Sequence, residues 1–173
     1  MTSFSVSEKE SKFLIKNLKK IEKALGVKII ARDNVVYLEG IALEEYEAVD
    51  ILKAFLAGFD FKTALILKDE DYMLEEIRIS DYAKKQRVAD ARARMIGTKG
   101  RALKTLNELS GCMVKVYSDR VFIMGKTEDV ENAARAVISL IKGSRHGNVY
   151  AGIEHKPYFE EELGLKEEKK KVS

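Results

Sequence analysis

Met95-Ile96-Gly97-Thr98-Lys99-Gly100-Arg101-Ala102-Leu103 sets two glycines three apart, with a hydroxyl and an ammonium side chain between them. The stretch joins two apolar-periodic runs. Val88 to Ile96 lies ahead of it, and Arg101 to Ser110 lies behind, with Leu103, Leu106 and Leu109 on one helical face. Both spacings predict helices. A glycine at each corner permits a sharp turn and a close approach to a ligand, because no Cβ stands in the way. The amides of Lys99, Gly100 and Arg101 are expected to open the second helix, where unpaired N–H groups and the helix dipole favour an anion such as phosphate. A Gly-X-X-Gly tetrapeptide also fits a plain helix–helix turn, so its surroundings decide.

Charge supplies the first of those surroundings. Residues 1–80 carry 12 Lys+Arg against 15 Asp+Glu, whereas residues 84–145 carry 14 against 6, so the basic excess gathers around the glycine stretch. Between Lys84 and Tyr117 the only acids are Asp90 and Glu108. This is the footprint of a polyanion-binding half beside a neutral-to-acidic half. With 46% apolar and 34% charged residues, the composition is that of a globular, well-solvated protein. No apolar run reaches the length of a membrane span and no signal-peptide pattern opens the chain, so a cytoplasmic setting is expected. The single cysteine, Cys112, excludes an internal disulfide. With His146 and His155 it makes no metal-ligand spacing, and no cofactor is implied.

A duplication supplies the second. Ser7 and Glu10 form a capping-box pattern ahead of a helix through Leu14, Leu18, Ile21 and Leu25, stopped by Gly26. Two β-rich runs, 27–32 and 35–39, flank the hairpin signal Asp33-Asn34, and a helix from Glu44 to Leu56 follows Gly40. The basic half repeats the plan. Runs 112–117 and 120–124 flank Ser118-Asp119, and a helix follows Gly125 with Val130, Ala133, Ala134, Val137, Leu140 and Ile141 toward the core. Gly26, Gly40 and Gly58 map onto Gly111, Gly125 and Gly143 at a constant offset of 85 residues. A strand is predicted over 74–80, and a short edge strand over 4–6.

The order β-α-α-β-β-α with Gly-X-X-Gly between the first two helices resembles a type I KH domain, whose loop clamps the backbone of four single-stranded nucleotides. The fold expected is α+β, with two tandem type I KH-like modules packed as one rigid body. Residues 1–58 form a degenerate module, 59–73 a structured linker, 74–153 a KH domain with the glycine loop, and 154–173 a mobile charged tail. The first module is degenerate because Lys12-Phe13-Leu14-Ile15 stands where Gly97 to Gly100 stands in the second. Without glycine its two helices are expected to merge.

Gly58-Phe59-Asp60, Met95 to Leu103 and Val149-Tyr150 together resemble the archaeal and eukaryotic ribosome-assembly KH proteins of the partner-of-Nob and Krr type. That resemblance implies single-stranded RNA binding, on small-subunit ribosomal RNA near its 3′ end. It also implies the Nob endonuclease and the alpha subunit of the initiator-tRNA-delivering initiation factor as partners. In this reading Gly97 and Gly100 bring amides to phosphate, with Thr98 between them. Lys99 and Arg101 supply charge, and Arg92, Arg94 and Lys104 widen the field. Ile96 with Leu103, and Val114 or Val116, would wall a base platform. Lys115, Tyr117 as a stacking ring, and Arg145 complete the candidate set.

Two other classes compete. Gly-Thr-Lys-Gly lacks the longer loop of a nucleotide-hydrolysing P-loop, and no nucleophile–base grouping is visible, so catalysis is not expected. A protein-only assembly scaffold with a relic KH loop remains the alternative.

Overall fold

Ser7 begins the first helix as the capping box demands. Its Oγ accepts from the Glu10 N–H at 3.3 Å, and the Glu10 Oε2 accepts from the Ser7 N–H at 2.6 Å. The computed structural model describes residues 1–153, in one unit from Met1 to Lys68 and a second that begins at Asp69. The stretch 154–173, expected as a charged tail, lies outside the described residues.

In the first unit β1 (Thr2–Ser5) leads into α1 (Glu8–Leu25). This helix runs unbroken through Lys12 to Ile15, the merger expected where the glycines are missing, and buries Leu14, Ile21 and Leu25. Then come β2 (Lys28–Arg32), β3 (Val35–Glu39) and α2 (Ala42–Leu56). Asp33 and Asn34 both take positive φ, 51° and 61°, as a two-residue hairpin turn with native twist requires. The sheet order is β1-β3-β2, all antiparallel. The Phe-Asp-Phe stretch folds onto this unit. Phe59 is buried, Asp60 caps the short helix α3 (Phe61–Ala64), and the Phe61 ring meets Phe55 edge-on at 5.3 Å.

The second unit contains β4 (Tyr72–Arg78), α4 (Val88–Ile96), α5 (Arg101–Ser110), β5 (Met113–Tyr117), β6 (Arg120–Lys126), α6 (Thr127–Lys142) and α7 (His146–Ala151). Its sheet order, β4-β6-β5, repeats the first unit's. The leading strand sits two residues earlier than the alternation suggested, because Ile79 turns inward to a fully buried position in a 3₁₀ turn. Ile77, Ile79, Met95, Leu106, Val121, Ile123, Val137 and Leu140 form the core between sheet and helices. On α6, Ala136 is buried and Ala134 is only half-buried, so the core face is rotated slightly from the expected one.

The duplication reaches atomic detail. The Glu22 Oε1 accepts from the Ile29 N–H at 2.8 Å, and the Asn107 Oδ1 accepts from the Val114 N–H at 3.0 Å. A Cβ on Gly40 would lie 2.9 Å from Val27 Cγ1, and one on Gly125 would lie 2.8 Å from Cys112 Sγ. Each pair is related by the same 85-residue offset. Helix-to-strand packing of the two modules thus obeys one plan, with the space of a missing methyl filled by Val27 in one and Cys112 in the other.

Candidate nucleic-acid interface

The glycine stretch forms a tight, outward-pointing bend. α4 ends at Ile96, Gly97 turns the chain with φ 72° and ψ 175°, and Thr98–Gly100 make one 3₁₀ turn before α5 begins at Arg101. Only glycine fits at 97, since a Cβ there would lie 2.7 Å from the Cβ and 2.8 Å from the backbone N of Ala102. Lys99 itself adopts φ 53°, a left-handed conformation costly for a residue with a side chain. Thr98 and Lys99 are exposed at the tip.

The expected amide set needs correction. The Gly100 N–H donates to the Gly97 carbonyl at 3.2 Å, and the Arg101 N–H donates to the Thr98 carbonyl. Both are consumed by the turn. The amides of Thr98 and Lys99 precede its first hydrogen bond and are not used by it.

Cations surround the tip unevenly. Arg92, Lys99, Arg101, Lys104 and Arg145 are exposed. Arg92 also closes one end of the surface, its Nε donating to the Ser118 carbonyl at 2.9 Å and so pinning the β5–β6 turn to α4. Arg94, expected to widen the positive field, keeps its charge there but is also tied to backbone carbonyls. Its Nη1 donates to the Leu140 carbonyl at 2.9 Å and its Nη2 to the Ser144 carbonyl at 2.6 Å, capping the C-terminal end of α6.

The apolar walls are also redistributed. Ile96, Leu103 and Val116 are half-buried and can line a platform beside the loop. Val114 cannot, because it is 2% exposed within the core and its N–H is taken by Asn107. Strand alternation turns Lys115 and Tyr117 to the sheet face opposite Val114 and Val116, so they share no wall with Ile96 and Leu103. The same alternation aims the N–H and C=O of Val116 outward along the open edge of β5.

α7 is an element that sequence reasoning missed. It braces both shoulders of the bend. The His146 Nε2 lies 3.0 Å from the Arg94 carbonyl, so that nitrogen carries the hydrogen, and the Tyr150 hydroxyl donates to the Ala102 carbonyl at 3.3 Å. Burial pushes the Tyr150 phenol above its usual value. Among the described residues no group of three or more His, Cys, Asp or Glu is placed to hold a metal ion, and no helix is long and apolar enough to cross a membrane.

Known proteins share this arrangement. A family model of the second KH domain of Pno1, described as a eukaryotic-type KH domain (type I), matches residues 73–157. A KH domain-containing protein of Methanocaldococcus jannaschii is 37% identical over 146 residues, which are 80% of this chain and 64% of the relative. The chain thus spans less than two thirds of the length of the curated relatives it matches. The crystal structure of Dim2p from Pyrococcus horikoshii superposes with a TM-score of 0.75 at 31% identity, covering 87% of this chain and 96% of that one. A second structure from that organism, of an a/eIF2alpha–aDim2p–rRNA complex, gives a TM-score of 0.77 at 30% identity, covering 87% and 89%. With β-α-α-β-β-α order, a Gly-X-X-Gly bend and this likeness along 96% of the Pyrococcus horikoshii Dim2p chain, the chain belongs to the Dim2/Pno1 family of KH-domain proteins.

Proposed function

We propose that the chain is a non-catalytic single-stranded RNA binder of ribosome assembly, acting on small-subunit ribosomal RNA near its 3′ end. The KH domain, from β4 to Ile153, does the binding. One observation carries this reading: an exposed Thr98–Lys99 tip, held between two glycines at positive φ, with Arg92, Arg101 and Lys104 exposed on the two flanking helices. The amides of Thr98 and Lys99 meet phosphate, and the cations supply the attraction that scales with counterion release. Ile96, Leu103 and Val116 offer apolar ground for bases. The rRNA in the complex of the Pyrococcus relative supports the choice of RNA class.

The first unit serves protein partners in this proposal. Ile41, Leu43 and Tyr46 are 69%, 65% and 73% exposed around the start of α2, an apolar cluster suited to a protein surface. The alpha subunit of the initiation factor is the proposed occupant, in line with the composition of that complex. The Nob endonuclease is a further proposed partner, resting on family resemblance alone.

Replacing Thr98 and Lys99 together by Asp tests the RNA reading. The pair points away from the core, so the melting temperature is expected to hold while affinity for single-stranded RNA drops by at least about tenfold. In the parent, three to four neutralised phosphates predict a slope of log K against log salt of roughly −2 to −3. Unchanged affinity in the double variant would remove the loop from the mechanism and leave a scaffold with a relic loop.

A further inference from the structure

α4 has a second charged face. Arg92 reaches the β5–β6 turn, while Arg87 just ahead of the helix, with Asp90 and Arg94 at spacings of three and four, faces elsewhere. There they line a cavity of about 660 Å³, between the turn after Ile79 and the C-terminal end of α6. That is within the roughly 300–1,000 Å³ of ligand-binding pockets. Lys84 and Lys142 add two more cations, and Asp90 is the one carboxylate in the wall among the described residues. Tyr82 contributes an aromatic ring 39% exposed, with the Lys142 ammonium 5.6 Å from its centre. Arg94 is a fixed charge here, two of its five N–H donors already spent on the carbonyls of Leu140 and Ser144.

We propose that this cavity is a second nucleotide subsite, taking one further nucleotide of the single-stranded RNA that the glycine loop holds. The chemistry divides by residue. Lys84, Arg87 and Lys142 take the phosphate, the Tyr82 ring stacks on the base, and Asp90 accepts from a base N–H while keeping phosphate on the cationic side. Arg94 precedes Gly97 by one helical turn, about 5 Å of rise, so a strand leaving the loop across the end of α4 reaches the cavity without a long detour. Among the described residues, four cations, an aromatic ring and a single carboxylate line the wall, and the ring gives a base a stacking face that an acidic peptide would not use, which favours a nucleic acid. The inference rests on the RNA-binding reading and extends its footprint beyond the loop.

The experiment compares the full chain with three variants: Lys84→Ala/Arg87→Ala/Lys142→Ala, Tyr82→Ala, and the Thr98→Asp/Lys99→Asp loop variant. Each is titrated with random-sequence single-stranded RNA of about four and about twelve nucleotides, the shorter length matching the span a KH loop clamps. The cavity triple is expected to bind the longer RNA about tenfold or more weakly, with its salt slope reduced by about 0.7 for the one phosphate lost, and the shorter RNA within about twofold of the parent. Tyr82→Ala is expected to lose about fivefold or more on the longer RNA, and Tyr82→Phe to retain parental affinity. Photocrosslinks to the longer RNA should map to Tyr82. Parental affinity of the cavity triple for the longer RNA overturns the proposal. So does an equal loss on both lengths, or an acidic polyglutamate peptide that binds the parent more tightly than RNA does. If the loop variant alone is unaffected on both lengths, the loop reading fails and the cavity stands by itself.

Discussion

Gly97 and Ala102 lie so close that a methyl group on the Gly97 α-carbon would sit 2.7 Å from the Ala102 Cβ, whereas a Cβ on Gly100 would meet nothing within 4 Å. Both glycines take positive φ, 72° and 73°. Their substitutions should therefore separate. Gly100→Ala carries the backbone cost alone, about 1 kcal/mol, while Gly97→Ala adds overpacking against α5 and should cost about 2–4 kcal/mol. Denaturant midpoints of the two variants check this. A Gly97→Ala/Ala102→Gly double variant should recover part of the loss, since it removes one of the two colliding methyl groups. Equal destabilisation by the two single substitutions would contradict the packing described.

Lys99 stands in a left-handed conformation at the tip of the bend. Glycine tolerates that geometry, so Lys99→Gly should stabilise the fold by up to about 1 kcal/mol. The same change removes a cation from the phosphate path and should weaken RNA binding about threefold to tenfold. Stability rising while affinity falls is the signature of a position kept for a ligand. If both fall together, Lys99 is a packing residue.

Tyr150 ties α7 to the loop through the Ala102 carbonyl, and its phenol ionises above the usual range because burial disfavours the anion. A phenol whose folded-state value is raised contributes stability present below the unfolded value, about pH 10, and lost as pH rises through the folded one. Tyr150→Phe should cost about 0.5–1.5 kcal/mol at neutral pH. It should also flatten the decline in melting temperature on the alkaline side. Thermal melts of both proteins across that range measure the difference.

Glu45 works at the opposite end of the pH scale. Its Oε1 accepts from the Gly40 N–H at 3.0 Å and its Oε2 from the Thr2 hydroxyl at 2.9 Å, with the amino terminus 3.1 Å from the same oxygen. The Gly40 N–H above all, then the Thr2 hydroxyl and the ammonium, hold this carboxyl below the ordinary carboxylate range. A lowered folded-state value means that stability is present above the unfolded carboxylate value and lost as pH falls through the folded one. Glu45→Gln should leave a shallower acid limb in the melting temperature than the parent shows. An unchanged acid limb would assign the acid sensitivity to other carboxylates.

The legible parts of the fold were those set by local chemistry. Ser7 with Glu10, Asp33-Asn34, and the glycines that recur at an offset of 85 residues each announce a cap, a turn or a stop, and the elements they bound lie where the spacing placed them. What escaped depends on three-dimensional partners. Arg94 reads as one more basic residue on a helix, yet the carbonyls of Leu140 in α6 and Ser144 just beyond it, about fifty positions away in sequence, claim its guanidinium. Val114 and Lys115 are adjacent, and only the facing of β5 decides that the first is core and the second is not. α7 carries one buried apolar residue, Val149, which is too few for a periodic signal. The loop amides differ for a simpler reason: the glycine spacing predicts helix straight from the bend, whereas an intervening 3₁₀ turn consumes two of the three.

Bracing by His146 and Tyr150 at either side of Gly97–Gly100 has a kinetic corollary. Disorder that would otherwise have to be quenched at each encounter with a strand has been removed already, during folding. Association then depends on how fast long-range attraction delivers the RNA, so salt should act mainly on the forward rate, and tightening of the complex should reside in how slowly the strand departs.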